Sequence, residues 1–258
     1  MQEKPFIIAI DGTSASGKGT IAKKLAARLG FAYLDTGLLY RAVGFAIISV
    51  GGDAGDAELA ETAALVLAAR MSGAGERPPP PTPCPRGAGE APLAPSMPTA
   101  EAKLGLIDFS KLLDNEILRT GEAGVAASKV AAVPAVRDAL MKFQKDFCAK
   151  PPGDAKGAVL DGRDIGTVIA PDAEVKIFVT ADPKTRAERR FKELQARGEN
   201  VTFESVLADM KARDARDANR PIAPTKPAPD AIVLDTTELN AEQALRMAVE
   251  IVSASLGI

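Results

Sequence analysis

Hydrophobic positions recur along this chain in two rhythms. The run Phe6 to Ile10 is continuously apolar, the pattern of a strand covered on both faces in a parallel sheet, and it ends at Asp11-Gly12. Beyond a Gly/Ser turn, Ile21, Leu25 and Leu29 return at helical spacing with Lys23, Lys24 and Arg28 between them, and Gly30 follows as a stop. Short apolar runs at Ala158 to Leu160, Val175 to Val179 and Ile232 to Leu234 read as further buried strands, each followed by turn residues or a helix start. Asp182-Pro183 opens a helix that Gly198 closes. Asn240 with Gln243 forms a capping box ahead of an apolar stripe at Leu245, Val249, Val252 and Leu256. Strands alternating with helices predict a parallel, doubly wound α/β sheet.

Between Gly73 and Lys103 the rhythm stops. This stretch holds nine of the chain's 19 prolines and has no apolar period, so it reads as a low-complexity loop. It could serve a partner as a polyproline-II ligand, or be a disordered insertion, and its composition favours the second reading. Amphipathic helical sequence resumes from about Leu112 to Phe147, so the loop falls inside an inserted helical subdomain.

At 258 residues and 46% hydrophobic, the chain can bury one full core and carry appendages besides. A net charge of −2, from 32 basic and 34 acidic side chains, offers no general field for nucleic acid or an anionic membrane. Cys84 and Cys148 lie far apart with no CxxC spacing, which argues against a disulfide scaffold or a zinc site. The start MQEKPFIIAI lacks a basic, apolar leader pattern and the run Val43 to Val50 is too short to cross a bilayer, so a soluble, cytoplasmic protein is expected. No histidine is present, which removes the Ser/His triad and the usual general base.

Any chemistry must therefore run on carboxylates, Lys, Arg, backbone amides and a hydrated metal. Residues 12 to 20, GTSASGKGT, fit G-x-x-x-x-G-K between a buried strand and a helix. Glycines there let backbone N–H groups point at phosphate oxygens, the helix N-terminus adds its positive end, and Lys18 reaches the β- and γ-phosphates. The competing reading, a chance Gly-rich turn, is disfavoured because strand, loop and helix fall in register. A transferring phosphoryl group also needs positioned cations. Arg186, Arg189 and Arg190 share one helix face, as do Arg213, Arg216, Asp217 and Arg220, the second row ending at a proline-punctuated return that reads as the hinge of a lid. Singly, such arginines are as consistent with a solvated face. LDTGLLYR at 34 to 41 and LDGRDIGT at 160 to 167 each place Asp, Gly and Arg where a strand ends, and for Asp35, Asp161 and Asp164 turn chemistry and a ligand site both fit.

Together, GTSASGKGT, LDTGLLYR, ASKVAAVPAVRDAL, DGRDIGT and RDARDANR, in this order and spacing, resemble the bacterial cytidylate kinases, over residues 4 to 72 and about 112 to 258. The GKGT form, with Gly19 after the lysine and the hydroxyl on Thr20, is similar to nucleoside monophosphate kinases generally. The resemblance implies a three-layer P-loop kinase core with a parallel sheet. Residues 1–61 and 153–258 would form the core, 62–152 the inserted subdomain binding the nucleoside monophosphate, and about 186–222 a short lid. It implies transfer from ATP to CMP or dCMP, with Mg²⁺ arriving with ATP and held more by phosphates and water than by protein ligands. ATP would lie against Gly12, Thr13, Ser14, Ala15, Ser16, Gly17, Lys18, Gly19 and Thr20. Arg189, Arg213 and Arg216 would join Lys18 on the transferring group. Thr36, Arg41, Arg163 and Arg220 would surround the acceptor phosphate and Asp217 would take the ribose hydroxyls. Ser128, Arg137 and Asp164 would read the cytosine edge, whose amine suits a carboxylate and whose carbonyl suits an arginine. Small-molecule substrates, a monomer and no nucleic-acid or membrane partner are expected. Family members carry a strand-rich piece where residues 73 to 111 do not read as strands. Other readings are a different small-molecule P-loop kinase, for adenylate, uridylate or shikimate, and a P-loop regulator without catalysis.

Overall fold

The structure, a computed structural model, describes residues 4–71 and 99–256. In chain order its elements are β1 (Phe6–Gly12), α1 (Lys18–Leu29), β2 (Ala32–Asp35), α2 (Thr36–Ser49), α3 (Ala57–Met71), α4 (Ala100–Leu104), α5 (Phe109–Leu113), α6 (Gly121–Val130) and α7 (Pro134–Ala149). There follow β3 (Gly157–Asp161), β4 (Val175–Thr180), α8 (Pro183–Ala196), α9 (Phe203–Asn219), β5 (Ile232–Asp235) and α10 (Ala241–Leu256), with a π-helical turn at Ile165–Ile169. The chain divides into two compact units, Met1–Leu38 with Met141–Ile258, and Leu39–Leu140.

The first unit is built on five parallel strands in the order β2-β3-β1-β4-β5. Alternate side chains of β1 go to opposite faces. Ile8 and Ile10 join Ile21 and Leu25 of α1 and Ala244, Ala248 and Val252 of α10, while Ile7 and Ala9 join Leu160, Ile165 and Ile169, with Met141, Phe143 and Phe147 of α7 against them. Helices on both faces explain why the strand sequences are continuously apolar: β1 has no solvent face to mark with polar residues. Each fully buried Ile or Leu here contributes about 1.5–3 kcal/mol.

Local signals end these helices where the sequence places them. Gly30 closes α1 at φ 65°, its N–H bonded to the Ala26 carbonyl. Asp182 caps α8 through the N–H groups of Lys184 (2.8 Å) and Thr185 (3.3 Å). The capping box before α10 forms, with Asn240 N–H on Gln243 Oε1 and Gln243 N–H on Asn240 Oδ1, both 2.9 Å. Helices α8 and α9 pack through Ala187, Leu194, Val206 and Met210, beside an edge-on Phe191–Phe203 pair.

The described part of the second unit is helical. Helix α3 buries Leu59, Ala63, Val66 and Leu67 and packs against α4 and α5, which bring in Leu104 and Phe109. Helices α2 and α6 approach closely at Gly44, where an added Cβ would stand 2.7 Å from Ala126 Cβ. Most of the low-complexity stretch, with Cys84, lies outside the described residues. The expected loop nevertheless ran too far: Thr99 accepts a 3.3 Å bond from Ala102 N–H and opens α4, so residues 99–103 belong to a capped helix.

Candidate active site

The phosphate loop leaves β1 at Gly12, where an added Cβ would stand 2.0 Å from the Val179 carbonyl oxygen, so only glycine fits. Ala15 and Gly17 both take positive φ, 54° and 89°. Such left-handed turns next to right-handed ones make successive N–H groups converge into an anion nest, at a local cost for Ala15. Helix α1 starts with no side-chain cap and no acid in its first turn. Its positive end is therefore available to a ligand.

Side chains of the loop itself and of distant elements hold the loop's carbonyls. Arg163 donates to Gly12 O (2.8 Å), Ser16 Oγ and Lys18 Nζ donate to Thr13 O (3.0 and 3.4 Å), Arg186 donates to Ser14 O (3.2 Å), and Thr236 Oγ1 donates to Ser16 O (2.9 Å). The Lys18 side chain is largely but not fully buried, 3.9 Å from Asp161 Oδ1. Burial and the nearby Arg163 lower its pKa to about 8 against the pull of Asp161, and burial pushes the Asp161 carboxyl up to about 7 against Lys18. Asp35 pairs in register with Asp161 at the ends of β2 and β3. Asp11 accepts the N–H groups of Ile165 and Gly166, both at 2.8 Å, and so holds the turn after β3; burial nonetheless pushes its pKa up to about 6.

That turn carries Arg163, which also donates to Ser14 Oγ (3.1 Å) and to Asp217 Oδ2 (3.3 Å). Although burial opposes it, Arg163, Arg213 and Arg220 hold the Asp217 carboxyl below the usual range. Arg213 lies 3.8 Å from Asp217, and Arg220 reaches Asp164 Oδ1 at 3.5 Å. A cavity of about 310 Å³ opens beside these groups, lined by Thr13, Arg163, Arg186, Lys211, Asp214 and Asp217. The hydroxyls of Thr13 and Thr225, both in its walls, are buried without a hydrogen-bond partner, as expected where a polar ligand would supply one.

The first unit thus brings together the loop from Gly12 to Thr20 with Arg163, Asp164, Arg213, Asp217 and Arg220. Thr36 heads α2 and donates to Asp161 O at 2.8 Å. Arg216 stands on the exposed side of α9. Arg189 is turned to the chain after β5, donating to Thr236 Oγ1 (3.0 Å), Thr236 O (2.6 Å) and Leu239 O (3.2 Å), so to grip a transferring group it must first release these bonds. The second unit carries Arg41, which donates to Leu118 O (2.7 Å), and the buried Ser128 and Arg137, the latter 5.8 Å over the Tyr40 ring. Sequence reasoning missed the supporting roles of Asp11, Arg186 and Thr236. Asp11 had a signal, an acid ending an apolar strand; Thr236 had none.

Among the described residues no group of three or more His, Cys, Asp or Glu side chains is placed to hold a metal ion. The adjoining Asp35 and Asp161, at the ends of β2 and β3, are the carboxylates that would fit a Mg²⁺ arriving with nucleotide phosphates.

A family model described as cytidylate kinase matches residues 8–76 and 96–254. Proteins named cytidylate kinase from Paramagnetospirillum magneticum and Rhodospirillum rubrum are each 48% identical over 248 residues, covering 96% of this chain and 98% and 97% of theirs. One of that name from Azorhizobium caulinodans is 47% identical over 98% of this chain and 100% of its own. A crystal structure of a Thermus thermophilus protein aligns over 98% of the chain and 99% of its own at 21% identity with a TM-score of 0.43, too distant to add to this. With the family model spanning most of the sequence, and near-full-length relatives at almost half identity, the chain belongs to the cytidylate kinase family.

Proposed function

We propose that the protein transfers the γ-phosphoryl group of MgATP to CMP, and also to dCMP, giving ADP and the nucleoside diphosphate. The observation that carries this is Arg163, whose one guanidinium bonds the phosphate loop at Gly12 and Ser14 and the acid Asp217 of α9. A single rigid fork there ties the donor-phosphate cradle to residues suited to an acceptor nucleotide.

In this reading the loop amides and Lys18 hold the β- and γ-phosphates, and Arg213 and Arg216 meet charge that develops on the transferring group. Arg189 joins them only on leaving the turn after β5. Thr36, Arg41, Arg163 and Arg220 surround the acceptor phosphate, Asp217 takes the ribose hydroxyls, and Ser128, Arg137 and Asp164 read the cytosine. Asp35 and Asp161 would face the Mg²⁺ that arrives with ATP, which would supply charge neutralisation on the phosphates. No histidine is needed, because a phosphate acceptor with its second pKa near ~6 is already ionised at pH 7. We read the enzyme as a cytoplasmic monomer; no helix among the described residues is long and apolar enough to cross a membrane.

The test is an assay of ADP release from MgATP against CMP, dCMP, UMP, AMP, shikimate and no acceptor. CMP and dCMP should give the highest kcat/KM. ATP turnover that ignores the acceptor would overturn the reading.

A further inference from the structure

A phosphate cradle works only if its peptide planes face the right way. In a planar trans peptide the carbonyl of one residue and the N–H of the next point in opposite directions. The Ser16–Gly17 peptide has little local reason to keep its orientation, since Gly17 sits at φ 89° and glycine accepts either sign of φ almost equally. A flip would turn the Gly17 N–H away from the ligand and put a carbonyl in its place, where it would repel phosphate.

Thr236, 220 residues away in sequence, supplies the restraint. Its hydroxyl donates to Ser16 O at 2.9 Å, with Thr180 O also in range at 3.1 Å. The hydroxyl oxygen accepts from Arg189 Nη1 at 3.0 Å, which directs its single proton toward those carbonyls. The threonine is itself pinned: it is 2% exposed, its N–H bonds Thr180 O at 2.9 Å, and its carbonyl accepts from Arg189 Nη2 at 2.6 Å. Three elements, β4, α8 and the turn after β5, thereby fix one hydroxyl against one loop carbonyl.

We propose that Thr236 is a positioning residue for phosphate binding: by holding the Ser16 carbonyl toward the ends of β4 and β5, it keeps the Gly17 N–H facing the nucleotide phosphates. The inference rests on the phosphate-loop reading above. It differs from the assignment of Lys18 and the arginines in that Thr236 meets neither substrate. It acts through a peptide plane set before the reaction, and the bond of its own N–H to Thr180 O holds it there even when Arg189 leaves for the transferring group.

The test compares Thr236→Val, which keeps the shape and loses the hydroxyl, with Thr236→Ser, which keeps the hydroxyl. Equilibrium dissociation constants for ADP and for CMP are measured separately on both and on wild type. Thr236→Val should weaken ADP about tenfold, the size of one lost hydrogen bond, and leave CMP within about twofold. Thr236→Ser should restore ADP binding. Equal ADP affinity in Thr236→Val, parallel losses of ADP and CMP, or a serine variant as weak as the valine variant would each overturn the proposal.

Should the valine variant not fold, the wild-type protein still decides. With ¹⁵N labelling, the Gly17 amide resonance should move strongly on saturation with ADP, and an unmoved resonance in a protein that binds ADP overturns the inference alone. Wild type that does not bind ADP at all would overturn the phosphate-loop reading and this inference with it.

Discussion

The two compact units hold their candidate ligand groups by different means. In the first, these groups stand on the phosphate loop, on the turn after β3 and on and just past α9, and ion pairs and charge-assisted hydrogen bonds tie them to one another: Arg163 to the loop and Asp217, Arg220 to Asp164, Lys18 beside Asp161. In the second, they stand on helices, Arg41 donating to the Leu118 and Thr120 carbonyls at 2.7 and 3.4 Å and Arg137 lying over the Tyr40 ring. The first arrangement fixes positions for charge, at the cost of burying many ionised groups that must stay paired. Substitutions of the paired groups in the first unit should therefore act on turnover, whereas one at a packing position of the second, such as Gly44, should act on stability.

The largest effect should come from Lys18→Ala. We expect kcat to fall at least about a hundredfold with the far-ultraviolet spectrum unchanged, because Asp161, already pushed up to about 7, can take a proton once its cation is gone. Near-normal turnover in the folded variant would break the contrast.

Next comes pH. Lys18 has its pKa lowered to about 8 from 10.5 by burial and by Arg163, so the free enzyme loses this cation as pH rises through about 8. On that limb kcat/KM for ATP should drop about tenfold per pH unit. For stability the sign is opposite: a depressed lysine favours the fold above its unfolded value, and that contribution disappears as pH falls through about 8. A flat kcat/KM profile to pH 9.5 would show that Lys18 titrates elsewhere or does not bind the phosphates.

A smaller effect is expected on the choice of base. Wild type should prefer CMP to UMP by about 1–3 kcal/mol, the worth of one good base-edge pairing. Asp164→Asn should shrink that ratio mainly through loss on CMP, since an amide can turn either its NH₂ or its carbonyl to the base. The same kcat/KM ratio in the variant would assign discrimination to Ser128, Arg137 or another group. The smallest effect belongs to the second unit. Gly44→Ala places a Cβ 2.7 Å from Ala126 Cβ and 2.9 Å from the Ala126 carbonyl carbon, and should cost about 1–3 kcal/mol in denaturant unfolding, with ADP affinity unchanged.

What the sequence disclosed follows from how local each signal is. The loop from Gly12 to Thr20, the buried strand runs and the Asn240–Gln243 box depend on near neighbours, and all are legible without coordinates. Helical positions such as Ser128 and Arg137 have no spacing rule of their own, and only the family resemblance marks them. Thr236 and Ser16 are joined across 220 residues and Arg186 and Ser14 across 172, so no window of sequence contains either bond. The start of α4 was hidden for another reason: the prolines just before Thr99 blur the composition, although the threonine itself is an ordinary N-cap.

The account stands most directly on where the γ-phosphoryl group goes. In a ³¹P NMR time course with MgATP, CMP and enzyme, the γ-resonance of ATP should decline in step with the appearance of the β-resonance of CDP, with little inorganic phosphate formed. Inorganic phosphate accumulating while CMP remains unchanged would contradict it.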